Sequence, residues 1–130
     1  MQYAVPRRGV PAASALRKWA RSAAPHADLT LRIVGSGEGR TLNRKYRRKS
    51  RPTNVLSFEG GDIVLCHPVV VREARAQGKT VAAHYAHLVV HGILHLRGYD
   101  HKKKRETERM ARAEIRILRR FGLRNPYELE

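Results

Sequence analysis

The stretch from His91 to His101 constrains the fold of this chain more than any other part of the sequence. Three histidines stand there at positions i, i+4 and i+10, with Gly98 before the third. Residues four apart share one face of a helix, so His91 and His95 can point at the same metal ion. On a straight helix His101 would lie about 15 Å beyond His91, far more than the roughly 2.1 Å of a Zn–N bond. Because glycine readily adopts the left-handed conformation that ends a helix, the spacing predicts a helix, a turn at Gly98 and a three-histidine metal site.

The ligand set favours a catalytic metal over a structural one, since three imidazoles leave a fourth tetrahedral position for water. Helical zinc proteases carry a glutamate directly after the first histidine as general base, but this chain has Gly92 there. The substitution disfavours peptide hydrolysis and requires another proton acceptor. Asp100, the nearest carboxylate in sequence, is either that base or the residue that orients the third histidine. His84 and His87 share the helical face of the ligands, and we expect them to support the site or the helix start rather than to bind metal.

Periodicity and turn residues predict one α+β domain over residues 1–130, with a small, mostly four-stranded mixed sheet packed with about five helices. The expected helices cover 11–24, 42–48, 68–77, 81–96 (the metal helix) and 106–121; the expected strands cover 29–34, 54–58 and 62–66, the last two forming a hairpin. Residues 35–39, rich in glycine, are expected to form a loop. Cys66 is the only cysteine, so it has no disulfide partner within the chain, and its place in an apolar strand predicts burial.

Residues 91–101 read HGILHLRGYDH, and this motif resembles the YbeY family of bacterial rRNA-maturation endoribonucleases. The resemblance extends to residues 42–58, 61–64 and 121–127. It implies one Zn²⁺ ion held by the three histidines, and a single-strand-specific endoribonuclease acting in 16S rRNA 3′-end maturation and ribosome quality control. The partners it implies are single-stranded RNA, small-subunit rRNA, small-subunit proteins and a ribosome-associated GTPase.

The charge of the chain favours a polyanionic partner independently of this resemblance. The 27 lysines and arginines exceed the 11 acidic residues by enough to give a formal net charge of +16. Nucleic acid is the first candidate for such a small basic chain, and the arginine side chain pairs with phosphate bidentately. The expected RNA-binding residues form two basic clusters that would border the metal: Arg44, Lys45, Arg48, Lys49, Arg51, Lys102 and Lys103.

Arg47 matches an arginine that faces the zinc cleft in the resembled family, and we expect it to act with Asp100 as a catalytic residue. Its guanidinium would either stabilise charge developing on the phosphate in the transition state or bind phosphate without affecting the chemical step. Attack by water and attack by the 2′-hydroxyl both remain open. The alternative functions are a ribosome-assembly factor with a mainly structural zinc and, less favoured, a zinc peptidase. The lack of a signal sequence and of a long apolar run predicts a cytoplasmic protein without a membrane partner.

Overall fold

Strands and helices alternate in the first half of the chain in the computed structural model, which describes residues 1–6, 8–24, 29–47, 55–58, 61–97 and 104–127. Only the backbone is described for residues 43–47, 56–58, 104 and 106. The elements are β1 Gln2–Tyr3, α1 Ala13–Ala23, β2 Thr30–Val34, α2 Ser36–Arg47, β3 Val55–Phe58, β4 Asp62–Cys66, α3 His67–Ala76, α4 Val81–Leu96 and α5 Lys104–Arg119. The α+β character expected from the sequence agrees with this order.

The sheet has the strand order β1-β2-β4-β3. β2 pairs in parallel with β1 and with β4, placing Leu31 opposite Ile63, whereas β3 pairs antiparallel with β4. The expectation of a mostly four-stranded mixed sheet is corrected in its balance: β1, β2 and β4 form a three-stranded parallel unit, and the antiparallel part is limited to β3, which pairs with β4 as the expected hairpin. The alternation of apolar residues reveals a strand but not its direction, and a two-residue strand such as β1 is too short to show a period.

The two faces of the sheet are covered differently. Leu31 and Ile33 of β2, with Ile63 and Leu65 of β4, belong to the large core shared with the helices. The opposite face carries a smaller buried cluster, against which Leu42 of α2 packs, formed by Val34, Val64, Cys66 and Val69. Cys66 is buried, as expected.

Helix α4 lies at the centre of the large core, since it contacts α1, α3, α5, β3 and β4. Its bounds are those predicted from the sequence, and the side chain of Thr80 caps its start by accepting a hydrogen bond from the backbone of Ala83. Apolar residues at helical spacing on α1 and α5 are buried in this core: Leu16, Trp19, Ala20, Ala23, Met110, Ala113 and Ile117. Among the described helices, none combines the length and the apolar character needed to cross a membrane.

The glycine-rich segment expected to be a loop instead forms the first turns of α2, and the expectation was wrong. The helix begins at Ser36 rather than at residue 42. Glu38, in its first turn, accepts two hydrogen bonds from the guanidinium of Arg32 on β2, at 2.7 and 2.9 Å. A carboxylate near a helix N-terminus is favourable, and this contact ties the turn to the sheet despite the low helix propensity of glycine.

Candidate metal centre

Helix α4 presents two of the three predicted metal ligands, because His91 and His95 lie one turn apart in an unbroken helix. Both side chains are partly exposed, whereas the intervening Gly92, Ile93 and Leu94 are buried. The two imidazoles therefore occur at the margin of the core, where a residue can reach both the protein interior and a substrate. Residues 98–103 lie outside the described part of the chain, and with them the predicted turn at Gly98, Asp100 and the third ligand His101.

A buried carboxylate on α5 contacts the first of these histidines. Glu114 is fully buried, and one of its oxygens, Oε1, lies 2.5 Å from Nδ1 of His91. Its other oxygen lies 3.1 Å from Nε2 of His87 on the preceding turn of α4. The hydroxyl of Tyr127, in the segment after α5, donates a hydrogen bond to that same oxygen. One carboxylate thus joins α4, α5 and the segment after α5.

These hydrogen bonds keep Glu114 ionised inside the protein. Burial alone would raise the pKa of Glu114, but hydrogen bonds from His87, His91 and Tyr127 outweigh this effect and lower the pKa to about 2. Burial and the neighbouring carboxylate raise the pKa of Tyr127, so its hydroxyl stays protonated and donates. Glu114 is therefore an anionic acceptor in an otherwise apolar helix–helix contact.

An ionised carboxylate can only accept hydrogen bonds, so the contact determines which nitrogen of His91 carries the proton. Nδ1 is the donor to Glu114, and Nε2 is then the nitrogen that offers a lone pair to a metal. Histidines that bind metals usually donate their second ring N–H to a carboxylate, a carbonyl or water. The residues present thus fit a metal ion, and this fit rests on the donor set and on the orientation of the His91 ring.

His87, His91 and Glu114 could also hold an ion themselves, since each offers a ligand atom within 4.8 Å of the others. The separation of 2.5 Å between His91 and Glu114 is that of a hydrogen bond. Two ligands of one tetrahedral zinc ion would stand about 3.4 Å apart, given bonds of about 2.1 Å. In the described geometry the cluster is a hydrogen-bond network that includes the predicted ligand His91.

His84 belongs to a second histidine–carboxylate pair one turn earlier on α4. Its Nε2 lies 3.0 Å from Glu73 of α3, and its ring is buried. The nitrogen Nδ1 of His84 is buried and has no hydrogen-bond partner among the residues that the structure describes. Burial lowers the pKa of His84, and the hydrogen bond to Glu73 offsets part of that effect. The imidazole is therefore neutral near pH 7 and donates to Glu73.

The structure describes only some of the predicted basic residues. Arg44, Lys45 and Arg47 lie in the last turns of α2, where the backbone is described. Arg48, Lys49, Arg51, Lys102 and Lys103 lie outside the described residues. Contacts between these side chains and the histidines of α4 therefore stay predictions.

Sequence reasoning missed Glu114 and Tyr127 as members of the site. Glu114 follows Ala113 and precedes Ile117 on the stripe of α5 that packs in the core. An acidic residue in an apolar stripe is a signal that could have found it, because a buried carboxylate needs donors. Its partner His91 is 23 positions away, and neither helix alone predicts that contact.

The fold and the site define an α+β protein with a candidate metal site on its central helix, where one of two histidines is held by a buried carboxylate. The model of one family, described as Endoribonuclease YbeY, matches residues 11–122, and the chain belongs to this family. The resemblance found in the sequence is thereby confirmed.

Relatives over nearly the full chain carry the same description. A Stenotrophomonas maltophilia protein named Endoribonuclease YbeY is 48% identical over 146 aligned positions, covering 98% of this chain and 91% of that protein. A Methylococcus capsulatus protein of the same name is 53% identical over 131 positions, covering 91% and 87%. A Thermotoga maritima protein of known solution structure shares the fold, with a TM-score of 0.58 and 23% identity over 98% of each chain.

Proposed function

We propose that this chain is a zinc-dependent, single-strand-specific endoribonuclease that acts in 16S rRNA 3′-end maturation and ribosome quality control. One observation supports the metal-dependent part of this proposal: the buried carboxylate of Glu114 accepts a hydrogen bond from Nδ1 of His91. Nε2 would then be the nitrogen that binds the metal. Membership of a family described by endoribonuclease activity supports the choice of RNA as substrate. The whole chain, residues 1–130, would act as one domain.

His91, His95 and His101 would hold the ion. Zinc bound there would supply a Lewis acid for the phosphodiester. Glu114 orients the ring of His91, and His87 donates to the same carboxylate and keeps it in place. Hydrogen bonds of this kind fix the tautomer and the ring orientation of a histidine ligand. The imidazole would therefore be oriented for the metal before metal and substrate bind.

Arg47 would bind the scissile phosphate, because a guanidinium forms two parallel hydrogen bonds with phosphate oxygens and stays charged at every working pH. Asp100 would accept a proton or orient His101. Flanking nucleotides would contact the two basic clusters: Arg44, Lys45, Arg48, Lys49, Arg51, Lys102 and Lys103. The partners would be small-subunit rRNA, small-subunit proteins and a ribosome-associated GTPase, and the protein would act in the cytoplasm.

Cleavage of single-stranded RNA by purified, metal-quantified protein tests this proposal. We expect His95→Ala and Arg47→Ala to lose about 100-fold or more in rate, as is usual when a metal ligand or a charge-stabilising group is removed. Arg75→Ala, which removes an exposed arginine on α3, is the matched control and should cleave as the wild type does. Equal residual cleavage by wild type, His95→Ala and Arg47→Ala would indicate a contaminating nuclease and refute the proposal.

The products and the stability of the variants separate the remaining alternatives. A 5′-phosphate with a 3′-hydroxyl indicates attack by water, and a cyclic phosphate indicates attack by the 2′-hydroxyl. If His95→Ala unfolds, and if the wild-type protein binds rRNA without cleaving it, the results would favour an assembly factor with structural zinc.

A further inference from the structure

Five arginines form a straight line along the outer face of α5. They recur at intervals of four, three, four and three residues, and all five are exposed: Arg105, Arg109, Arg112, Arg116 and Arg119. At about 100° per residue these positions fall within roughly 80° of the helix circumference, and they extend over about 21 Å. We call this line the arginine ridge.

The packing of α5 determines that the ridge faces outward. Glu114 lies about 180° round the helix from the ridge, in the buried contact with α4. Met110, Ala113 and Ile117 occupy the same inner side and are buried. The orientation of the ridge is therefore set by the core and by the hydrogen bonds that hold His91.

The ridge carries far more positive than negative charge. Among the α5 side chains that the structure describes, Glu108 is the one exposed acid, and Glu114 is buried on the opposite side. Within the described residues, none of the five arginines forms an ion pair. Like charges three and four residues apart repel each other on a helix, so the ridge weakens α5 unless an anion lies along it.

We propose that the arginine ridge binds the phosphodiester backbone of RNA outside the cleavage site. This inference rests on the proposed function for its choice of RNA as ligand. A polyanion with regularly spaced phosphates matches a line of guanidinium groups, which bind phosphate bidentately. A protein partner would need several carboxylates at the same spacing, and the basic clusters predicted nearby in sequence already favour a nucleic acid.

The position of the ridge predicts what it contributes to the reaction. An α-helix with its side chains is about 10–12 Å across, so the ridge lies roughly one helix diameter from Glu114 and faces away from it. RNA that reaches both surfaces has to extend beyond the scissile phosphate. Loss of the ridge should therefore weaken binding of long RNA while leaving the turnover rate at saturating RNA unchanged.

The test compares two triple variants with the same loss of charge. The ridge variant is Arg109→Gln, Arg112→Gln and Arg116→Gln; glutamine has nearly the helix propensity of arginine, so α5 is preserved. The control is Arg17→Gln, Lys18→Gln and Arg21→Gln on the exposed face of α1. Fluorescence anisotropy with a 2′-O-methyl RNA oligonucleotide, whose integrity after the measurement is checked on a denaturing gel, measures Kd at several salt concentrations. Cleavage kinetics are measured separately.

We expect the ridge variant to bind about tenfold or more weakly, with the slope of log Kd against log salt lower by about 2, since each phosphate contact contributes about 0.7. The control should bind as the wild type does. Equal losses of RNA affinity in both variants would show a net-charge effect and overturn the inference. An unchanged Kd of the ridge variant would also overturn it, as would a ridge variant that binds RNA normally and fails only to bind a ribosomal protein. Binding through the ridge by a wild type that never cleaves RNA would refute the proposed function alone.

Discussion

Glu114 shows how one buried side chain can determine the chemistry of another. Its hydrogen bond from Nδ1 of His91 selects one tautomer of the imidazole and aims Nε2 away from the helix contact. The same carboxylate accepts from His87 and Tyr127, so its charge is compensated inside the protein. In the proposed site Glu114 would be a positioning residue that acts on the metal through His91.

Replacing Glu114 should weaken zinc binding more than it weakens folding. We expect Glu114→Gln to bind zinc about 10–100-fold less tightly, because outer partners of metal-binding histidines have effects of this size. Glu73→Gln, which alters the other histidine–carboxylate pair of α4, is the matched control and should keep wild-type zinc affinity. Competition with a chelator measures affinity, and urea unfolding measures stability. Equal zinc affinity in Glu114→Gln and wild type would contradict the positioning role.

The contact between α3 and α4 contains a buried neutral histidine, which makes this pair of helices sensitive to acid. His84 of α4 donates to Glu73 of α3, and the charged and titratable groups that act on it are Glu73, Lys79 and His87. Burial lowers the pKa of His84 below the ordinary value of 6.5. The unfolded chain therefore binds a proton more readily than the folded protein does.

Stability should consequently fall as the pH drops below 6.5, the ordinary value for His84. The slope from one such group is at most about 1.4 kcal/mol per pH unit. Burial also lowers the pKa of His67, which adds to the effect. His84→Gln should flatten the dependence, whereas Glu73→Gln should steepen it, because the hydrogen bond from His84 to Glu73 raises the pKa of His84. Urea unfolding between about pH 7 and pH 5.5 measures the free energy of unfolding at each pH. Identical slopes of that free energy against pH in wild type, His84→Gln and Glu73→Gln would contradict the role of His84.

At the level of the whole molecule, the core surrounds α4 on several sides, and the network of Glu114 connects α4, α5 and the segment that contains Tyr127. The large core includes residues from the helices and from both central strands. Most of the buried apolar surface is therefore independent of any metal ligand. The candidate metal centre lies at the margin of this core.

Removing the metal should leave the protein folded. We expect metal-free protein to keep its far-ultraviolet circular dichroism and to unfold cooperatively, with a lower Tm, since zinc stabilises only by its binding to the folded state. RNA cleavage should be lost and should return on adding zinc. Thermal unfolding with and without a chelator measures both states. Loss of secondary structure on chelation would instead favour the structural-zinc alternative.

The sequence was sufficient for features that depend on neighbours along the chain. The bounds of α4, the buried faces of α1 and α5 and the β3–β4 hairpin follow from local periodicity, capping and turn residues. Family membership likewise follows from the motif at residues 91–101 and from the matching segments 42–58, 61–64 and 121–127. The start of α2 could not be predicted this way, because Glu38 is held by Arg32 of the neighbouring strand.

The spacing of His91 and His95, the glycine that follows the first histidine and the excess of arginine predict a metal-dependent protein with a polyanionic partner from the sequence alone. Long-range packing decided the parallel pairing of β2 with β4 and the meeting of Glu114, His91 and Tyr127. The physical reason is that apolar periodicity identifies which face of a helix or strand is buried, but it carries no information about which element covers that face. The tautomer of His91 and the outward direction of the arginine ridge both depend on which elements pack against α4 and α5.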